Sequence, residues 1–490
     1  MAAPVAGVVR LAAASRLLVL ALSLLSRLLF RPYDTSASLH PPCLLPSNAS
    51  ASADDDPAPT VSSLAVWDGV HFLRAAECGY EYEQSFAFLP LLPASLNLLA
   101  RSLLAPLVPV LGYRAVLVIS GYALNNAAFV AAAAYFYRLS LLILKNPNAA
   151  YRASVLFCFN PASVFYSSLY SESLYALFSL GGIFYVFTGA NTIAMIMLAL
   201  SGSARSNGAL NAGYFCFQAL LHAYDAAVQK KRPILAVQVL ITGFLRSVFI
   251  FLPFFAFQAY GYLNICLYGN MEEMRPWCKA KVPLLYGFIQ SHYWGVGFLR
   301  YFQVKQLPNF LLASPVLSLA VYCIIHYTKL LHRLFKSISI HELIVATVEG
   351  RSSEAYKSSD VDTVLNSGFS TTTNKAQGHA DVKRRKSVAT DPGSMHNNRS
   401  NDKILEVNEG CPILVLPFIL HLAFMTFTAF FVMHVQVSTR FLSASPPIYW
   451  AASHILVSPK SKRWGYLICI YFIAYILLGS LLFTNFYPFT

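Results

Sequence analysis

Residues 233–258 read PILAVQVLITGFLRSVFIFLPFFAFQ, and Arg246 is the only charged side chain in the stretch. A helix needs about 20 predominantly apolar residues to cross the hydrocarbon core of a bilayer. A soluble fold would have to bury nearly every side chain of such a run, whereas lipid accepts them without a partner. The stretch therefore predicts a membrane-spanning helix and suggests the class of the whole chain.

The rest of the sequence has the same character. Of its 490 residues, 56% are hydrophobic, 14% are aromatic and only 12% are charged, which leaves too few polar side chains to cover a soluble surface. We predict an all-α polytopic membrane protein, a bundle of about 9–11 transmembrane helices. The predicted spans lie near residues 11–30, 114–137, 153–169, 173–189, 192–207, 209–222, 233–258, 307–328, 412–435, 446–457 and 465–484.

The spans divide the chain into segments with different predicted roles. Arg10 and Arg16 precede the first apolar run, which favours a retained signal-anchor with a cytosolic N-terminus. A polar, aromatic-poor stretch late in the chain is typical of disorder. The predicted segments are a signal-anchor at 1–30, a lumenal loop with an interfacial part at 31–113, a transmembrane core at 114–335 with a lumenal loop at 259–306, a disordered cytosolic insert at 336–410, and C-terminal spans at 411–490.

The net charge of +14 agrees with this topology. Most lysines and arginines gather in connections that the span order places in the cytosol, as the positive-inside rule requires; the loop at 259–306 is the exception, and long loops weigh less in that rule. The charge therefore orients membrane helices, and we expect no nucleic-acid partner.

Four cysteines fall in segments predicted to lie outside the cytosol, where disulfides form. They are Cys43, Cys78, Cys266 and Cys278, and they allow three pairings. Cys266 with Cys278 is favoured because the two share one loop. The sequon at Asn48 lies on the same predicted side and is a candidate glycosylation site, whereas the one at Asn398 lies on the cytosolic side.

The segment beginning at Trp67 concentrates ionisable side chains beside a membrane end, which points to chemistry or binding there. On a helix, Asp68 and His71 share a face, and a carboxylate so placed could deprotonate a sugar hydroxyl as general base. His71 could bind a phosphate or orient that carboxylate, and Glu77 lies two turns further along. The structural alternative is that Asp68 is a helix N-cap.

Further candidates lie elsewhere in the chain. Glu172 follows a proline-broken apolar run, and Arg205 interrupts another; each is costly in lipid unless it is paired, solvated or used. Arg205 could bind a lipid-linked phosphate, or form an ion pair with Glu172 or Asp68. His292 and Trp294 could bind a sugar or belong to an aromatic belt at the membrane interface. Arg440 could bind a substrate or act as a snorkelling anchor at a helix end.

No Walker loop, dinucleotide-binding fingerprint, Ser-His-Asp set or zinc-ligand spacing is present. We therefore expect no metal and no cofactor, and a lipid-carried donor is the natural substrate for polar groups that gather at one membrane face.

Seven blocks in order resemble the PIG-V family. They are Trp67-Asp-Gly-Val-His-Phe, Ala76-Glu-Cys-Gly-Tyr-Glu-Tyr-Glu, Phe86-Ala-Phe-Leu-Pro, Phe159-Asn-Pro-Ala-Ser-Val-Phe-Tyr-Ser-Ser-Leu-Tyr-Ser-Glu-Ser, Arg205-Ser-Asn-Gly, Gln290-Ser-His-Tyr-Trp-Gly-Val-Gly-Phe-Leu-Arg-Tyr and Arg440-Phe-Leu-Ser. The resemblance runs from about residue 61 to the C-terminus, without the insert at 336–410.

The resemblance implies a GT-C-like glycosyltransferase of the endoplasmic reticulum membrane with a lumenal active site. Such an enzyme would take mannose from dolichyl-phosphate mannose and add it by an α-1,6 bond, with inversion, as the second mannose of the glycosylphosphatidylinositol (GPI) precursor. Asp68 matches the acidic residue of the first lumenal loop and would be the base. Arg205 and His292 would stabilise the leaving phosphate. The resemblance leaves open whether the enzyme has a small membrane partner subunit.

Three rival interpretations remain at this point. The chain could be another lumenal glycosyltransferase that uses a dolichyl-phosphate sugar, a transporter, or a non-catalytic assembly subunit. A transporter is expected to show paired broken helices in two related halves, which the sequence does not display.

Overall fold

The computed structural model describes residues 2–33, 43–44, 57–267, 275–337, 412–487 and 489. Throughout these ranges the regular structure is helical and contains no strand, so the predicted all-α class is confirmed. Asn48, Asn398 and the predicted insert beyond residue 337 lie outside the described residues.

Eighteen α-helices make up the described part of the chain. They are α1 Ala2–Leu29, α2 Pro59–Ser62, α3 Asp68–Cys78, α4 Leu91–Arg101, α5 Val108–Leu111, α6 Tyr113–Leu144, α7 Pro147–Cys158, α8 Ser163–Ser167, α9 Glu172–Thr188, α10 Asn191–Ala204, α11 Ala212–Tyr224, α12 Pro233–Tyr262, α13 Leu285–His292, α14 Leu307–Ser337, α15 Leu416–Phe431, α16 Ser438–Leu442, α17 Pro446–Val457 and α18 Lys462–Leu482.

Six helical segments within the described ranges are long and apolar enough to cross a membrane. They contain α1, α6, α12, α14, α15 and α18, and each coincides with one of the predicted spans. A seventh crossing is formed if α4 and the segment Ala105–Leu111, which meet at a bend of 69°, are counted as one broken span. This bent pair occupies the proline-rich stretch predicted to lie at the interface.

The predicted count of 9–11 spans is therefore too high for the described residues. Five predicted spans correspond to shorter or interrupted helices: 153–169, 173–189, 192–207, 209–222 and 446–457. The longest of these helices, α9, has 17 residues. At 1.5 Å per residue it extends about 26 Å, short of the roughly 30 Å hydrocarbon core. The run at 153–169 is also split, because α7 ends at Cys158 and α8 begins at Ser163.

The main hydrophobic core lies between α6, α7, α9, α14, α15 and α17. The Phe157 ring stacks on Phe129 and on Phe136 in this core, with ring centroids 5.2 Å and 4.6 Å apart. α1 packs against α6, α7 and α18, so the predicted signal-anchor is an integral part of the bundle.

Arg16 ties α1 to the break between α7 and α8. Its side chain is 2% exposed and donates to the carbonyl oxygens of Cys158 (3.1 Å) and Ser163 (2.8 Å) and to the hydroxyls of Ser163 and Ser167 (both 3.1 Å). The guanidinium also lies 3.9 Å from the centroid of the Phe129 ring. These donors satisfy backbone groups that the helix break leaves unpaired.

Hydrogen bonds bring the ends of α1, α18 and the segment before α3 to the same end of the bundle. Arg27 donates to the carbonyls of Thr484 (2.9 Å) and Ser63 (3.1 Å), and the Trp67 indole donates to the carbonyl of Phe483 (3.2 Å). The candidate site lies at this α3 end of the bundle.

Candidate active site

Asp68 is the first residue of α3, and its N-cap, Trp67, makes no side-chain capping bond. The predicted capping role of Asp68 is therefore not what the geometry shows. Trp67 has φ 54°, a region that a bulky residue occupies at a cost of roughly 1–3 kcal/mol and that is common at functional sites. The Asp68 backbone N–H donates to the Tyr170 hydroxyl at 3.0 Å, which fixes the start of α3 against the 168–171 turn.

The side chain of Asp68 faces Arg440, which the fold brings from α16. Arg440 Nη1 lies 2.9 Å from Asp68 Oδ2 and 3.9 Å from Glu172 Oε1. Glu172 in turn forms an ion pair with Arg205. Two carboxylates and two guanidinium groups thus alternate in the order Asp68, Arg440, Glu172, Arg205, and we call this set the ionic chain.

The four members of the ionic chain differ in exposure. The Glu172 side chain is 2% exposed, Arg205 18%, Arg440 20% and Asp68 37%. Glu172 Oε2 is buried without a hydrogen-bond partner in the described residues. Asp68 is therefore the carboxylate that an incoming molecule can reach, whereas the buried Glu172 interacts with both arginines.

The electrostatics of the ionic chain keep Arg440 charged. Burial lowers the pKa of Arg440, but the carboxylates of Asp68 and Glu172 outweigh that effect and raise it above its usual value. Burial, with the Asp68 charge adding to it, also raises the pKa of Tyr170, so its hydroxyl stays neutral. A permanent positive charge thus lies beside the exposed carboxylate.

The turn that carries Tyr170 and Glu172 is held from α6. Asn125, which is fully buried, donates to the carbonyls of Ser168 (2.6 Å) and Tyr170 (2.8 Å). Glu172 is the first residue of α9, directly after this turn. The proline-interrupted run noted in the sequence therefore positions the Glu172 carboxylate.

Arg440 is positioned by contacts on both sides. Its guanidinium lies 5.5 Å from the ring centroids of Phe165 and Tyr170. Next to α16, Ser443 is within 2.8 Å of the Tyr166 hydroxyl and accepts from Tyr449 at its carbonyl (2.6 Å). These contacts make Arg440 part of the site, so the snorkelling-anchor interpretation does not describe it.

A cavity of about 190 Å³ opens on the ionic chain. All four members of that chain line it, together with aromatic, aliphatic and uncharged polar side chains. The remaining lining residues include Phe72, Phe88, Leu89, Tyr170, Ser206, Asn207, Tyr286, Gln290, Trp294, Val296, Met433, His434, Val437 and Phe441. The charged groups could bind a phosphate or a hydroxyl, and the aromatic and aliphatic groups could contact a lipid chain or a sugar face.

Three predicted site residues do not line this cavity. His71 stacks on Phe88, with centroids 4.7 Å apart, and is otherwise exposed. Glu77 pairs with Arg114 at the start of α6. His292 is exposed and stacks on Phe288 at 4.9 Å.

The sequence analysis missed several lining residues. Tyr170 and Asn207 lie inside motifs that were singled out, but no spacing rule marks them as facing the cavity. Tyr286 and His434 carried no signal in the sequence at all. The Tyr286 hydroxyl lies 2.8 Å from Ser206 Oγ and so links α13 to the residue that follows Arg205.

Two disulfides support the loops around the cavity. Cys266 pairs with Cys278 (Cα–Cα 5.8 Å), as the sequence favoured, and Cys43 pairs with Cys78 at the end of α3 (5.4 Å). Among the described residues, one group of three potential metal ligands lies close together, Cys43, Cys78 and Glu81. Both of its thiols are used in the disulfide.

The whole chain is similar to known proteins. Residues 5–490 match the sequence model of a family described as Mannosyltransferase (PIG-V). The chain is 29% identical to GPI alpha-1,6-mannosyltransferase 2 of Homo sapiens over 99% of this chain and 98% of the relative. It is 31% identical to the Mus musculus protein of the same name (92% and 83% covered), and 28% identical to GPI mannosyltransferase 2 of Drosophila melanogaster (88% of each). No solved structure matches the fold.

Proposed function

Because the chain belongs to the PIG-V mannosyltransferase family, we propose that it adds the second mannose to the GPI-anchor precursor through an α-1,6 bond. Family membership favours an enzyme over the transporter and assembly-subunit alternatives. The observation that carries the proposal is the ionic chain, in which the partly exposed carboxylate of Asp68 lines a cavity beside Arg440.

We further propose that the donor is a mannose carried on a lipid phosphate, dolichyl-phosphate mannose. The cavity supports this choice because its lining holds two arginines, suited to a phosphate, as well as aromatic and aliphatic side chains such as Phe72, Phe88 and Leu89. Arg440 is the better candidate for the phosphate, since Arg205 is engaged by the deeply buried Glu172. His292, which is exposed and does not line the cavity, is not retained for this role.

The proposed reaction is one displacement at the anomeric carbon. The acceptor hydroxyl oxygen attacks that carbon, the bond from carbon to the phosphate oxygen breaks, and its electron pair leaves with dolichyl phosphate. Asp68 takes the hydroxyl proton as general base. Arg440, charged throughout, stabilises the negative charge that builds on the leaving phosphate. Binding of the phosphate to Arg440 would also loosen its hold on Asp68 and leave that carboxylate more basic.

We place the enzyme in the endoplasmic reticulum membrane with the cavity on the lumenal side. The support is the distribution of basic connections: Lys145, the cluster Lys230 to Arg232 and the cluster Lys460 to Arg463 all follow helix ends that point away from α3. A small membrane partner subunit stays a prediction from the resemblance.

The test is Asp68→Asn in cells that lack their own enzyme for the second GPI mannose. The substitution keeps the size of the side chain but removes its basicity, so we expect normal protein level, loss of surface GPI-anchored proteins, and accumulation of a precursor with one mannose. Asp225→Asn is the control, because Asp225 is also an aspartate paired with a basic side chain, that of Lys230, but is not among the residues that line the cavity. It should rescue.

Two outcomes would contradict the proposal. Full rescue by Asp68→Asn would show that the base lies elsewhere. Failure of the unmodified chain to rescue would show that the acceptor is a different molecule.

A further inference from the structure

We propose that Glu83 is a positioning residue that holds one wall of the cavity in place, and that this wall keeps water from competing with the glycolipid acceptor. The wall is the segment 285–296, which we call the wall segment. The inference rests on the proposed mannosyl transfer and concerns what that site selects.

Glu83 is a buried carboxylate outside the ionic chain. It is 9% exposed and begins the 3-10 helix Glu83–Ala87. Its Oε1 accepts from the Trp277 indole at 2.6 Å, and its Oε2 accepts from the Tyr293 hydroxyl at 2.7 Å, with Arg275 Nε 3.6 Å away. All three donors come from residues 275–293, so the carboxylate joins that segment to the one after α3.

The two joined segments both line the cavity. Tyr286, Gln290 and Trp294 come from the wall segment, and Phe88 comes from the residues that follow Glu83. Phe88 and Trp294 meet edge to face, with ring centroids 6.3 Å apart. Glu83 therefore sets the position of two surfaces that meet at one edge of the site.

Other contacts hold the far end of the wall segment. The Tyr286 backbone N–H donates to Gln258 Oε1 at 2.8 Å, and the Cys266–Cys278 disulfide ties its approach to the end of α12. Tyr293 is exposed, and Glu83 is the hydrogen-bond partner of its hydroxyl in the described residues. Directly after the wall segment, the backbone N–H groups of Gly297 and Leu299 donate to the carbonyls of Val432 and Phe431. The loss of Glu83 would thus release the part of the wall around Tyr293 and Trp294 while both ends stay attached.

The chemistry of Glu83 requires a carboxylate. Trp277 can only donate, so a glutamine at position 83 must direct its carbonyl there and its NH₂ toward Tyr293. That exchange replaces two charge-assisted bonds by weaker neutral ones and leaves Arg275 without its partner. Because a site that admits water exposes the donor to hydrolysis, loosening this wall shifts the outcome of each turnover.

The experiment uses the full-length protein in membranes, a mannose-labelled lipid-phosphate donor and the one-mannose GPI precursor. Two quantities are measured, the KM for the acceptor and the ratio of free to transferred mannose. For Glu83→Gln we expect KM to rise about tenfold, the factor carried by one charge-assisted bond, with the ratio rising in the same direction. Tyr293→Phe removes one hydroxyl at an exposed position. It should raise both the KM and the ratio of free to transferred mannose, but by less than Glu83→Gln does.

Glu81→Gln is the matched control. Glu81 lies two residues before Glu83, its side chain is 1% exposed, and it pairs with Arg74. Its contacts do not include the wall segment, so protein level should fall as for any buried ion pair while KM and the ratio stay unchanged.

Two results would overturn the inference while leaving the proposed function intact. One is wild-type KM and product ratio in Glu83→Gln. The other is a fall in kcat alone, which would make Glu83 a general structural residue. If the unmodified protein transfers no mannose to this acceptor, the proposed function fails first and the inference fails with it.

Discussion

Replacing Arg16 with leucine should destabilise the bundle far more than any other loss of a basic residue from α1. The guanidinium is the donor for two backbone carbonyls, of Cys158 and Ser163, at the break between α7 and α8. Leucine is smaller and cannot donate a hydrogen bond, so both buried carbonyls would lose this donor.

The magnitude follows from those two acceptors. Each buried carbonyl that loses its partner costs about 1–3 kcal/mol, and relief of the desolvated guanidinium returns part of it. We expect a net loss of about 3 kcal/mol. For a chain of this size that corresponds to a fall in Tm of roughly 4 °C. Activity should fall as well, because the same break leads to the turn that carries Glu172.

The assay is thermal unfolding of detergent-solubilised protein, followed by the fraction that stays monodisperse after heating. Arg10→Leu is the control: Arg10 is exposed and its side chain donates within its own helix, to Ala6 O at 3.4 Å. Its Tm should change by less than about 1 °C. Equal shifts for both variants would refute the reasoning, since the loss would then follow from charge removal and not from the carbonyls.

Two further predictions concern the loop after α10. Gly208→Ala should prevent normal accumulation, because a Cβ there would lie 2.3 Å from the backbone carbonyl of Ser201; Gly213→Ala, where nothing lies within 4 Å, should be neutral, and equal protein levels in immunoblots would contradict this. Arg205→Leu should cost about 3 kcal/mol, because the buried Glu172 would keep only Arg440, 3.9 Å away, as its cation, and Arg205→Leu with Glu172→Leu should regain stability without activity. A Tm that is no higher in the double variant than in the single one would refute the ion-pair account.

The sequence predicted correctly those spans whose apolar runs are long enough by themselves to indicate a membrane crossing. The run at 233–258 and four others became α-helices of 21 residues or more, and the run at 412–435 became α15, which reaches 19 residues together with the 3-10 turn before it. The overcount arose where apolar runs were nearly long enough. Asn160 and Pro161 split one of them, and α9 and α10 pack against each other as short helices, an arrangement that depends on tertiary contacts.

The candidate site shows a similar division. Five of the predicted site residues line the cavity: Asp68, Glu172, Arg205, Trp294 and Arg440. Three others, His71, Glu77 and His292, were selected by the same reasoning and do not line it. Local spacing identifies the face of a helix but not what that face meets, and no local pattern could pair Asp68 with a partner 372 residues away.

That separation has a consequence for how the protein is made. Asp68 and Glu172 enter the membrane early during synthesis, whereas Arg440 emerges only after α15. Until then the growing chain carries an exposed carboxylate without its cation and cannot hold a donor phosphate as we propose. A premature stop just before residue 440 would leave most of the described helices able to insert and yet remove the cation that faces Asp68. The segment that carries Arg440 is therefore needed to complete the ionic chain, and the proposed site can form only after that late segment has been synthesised.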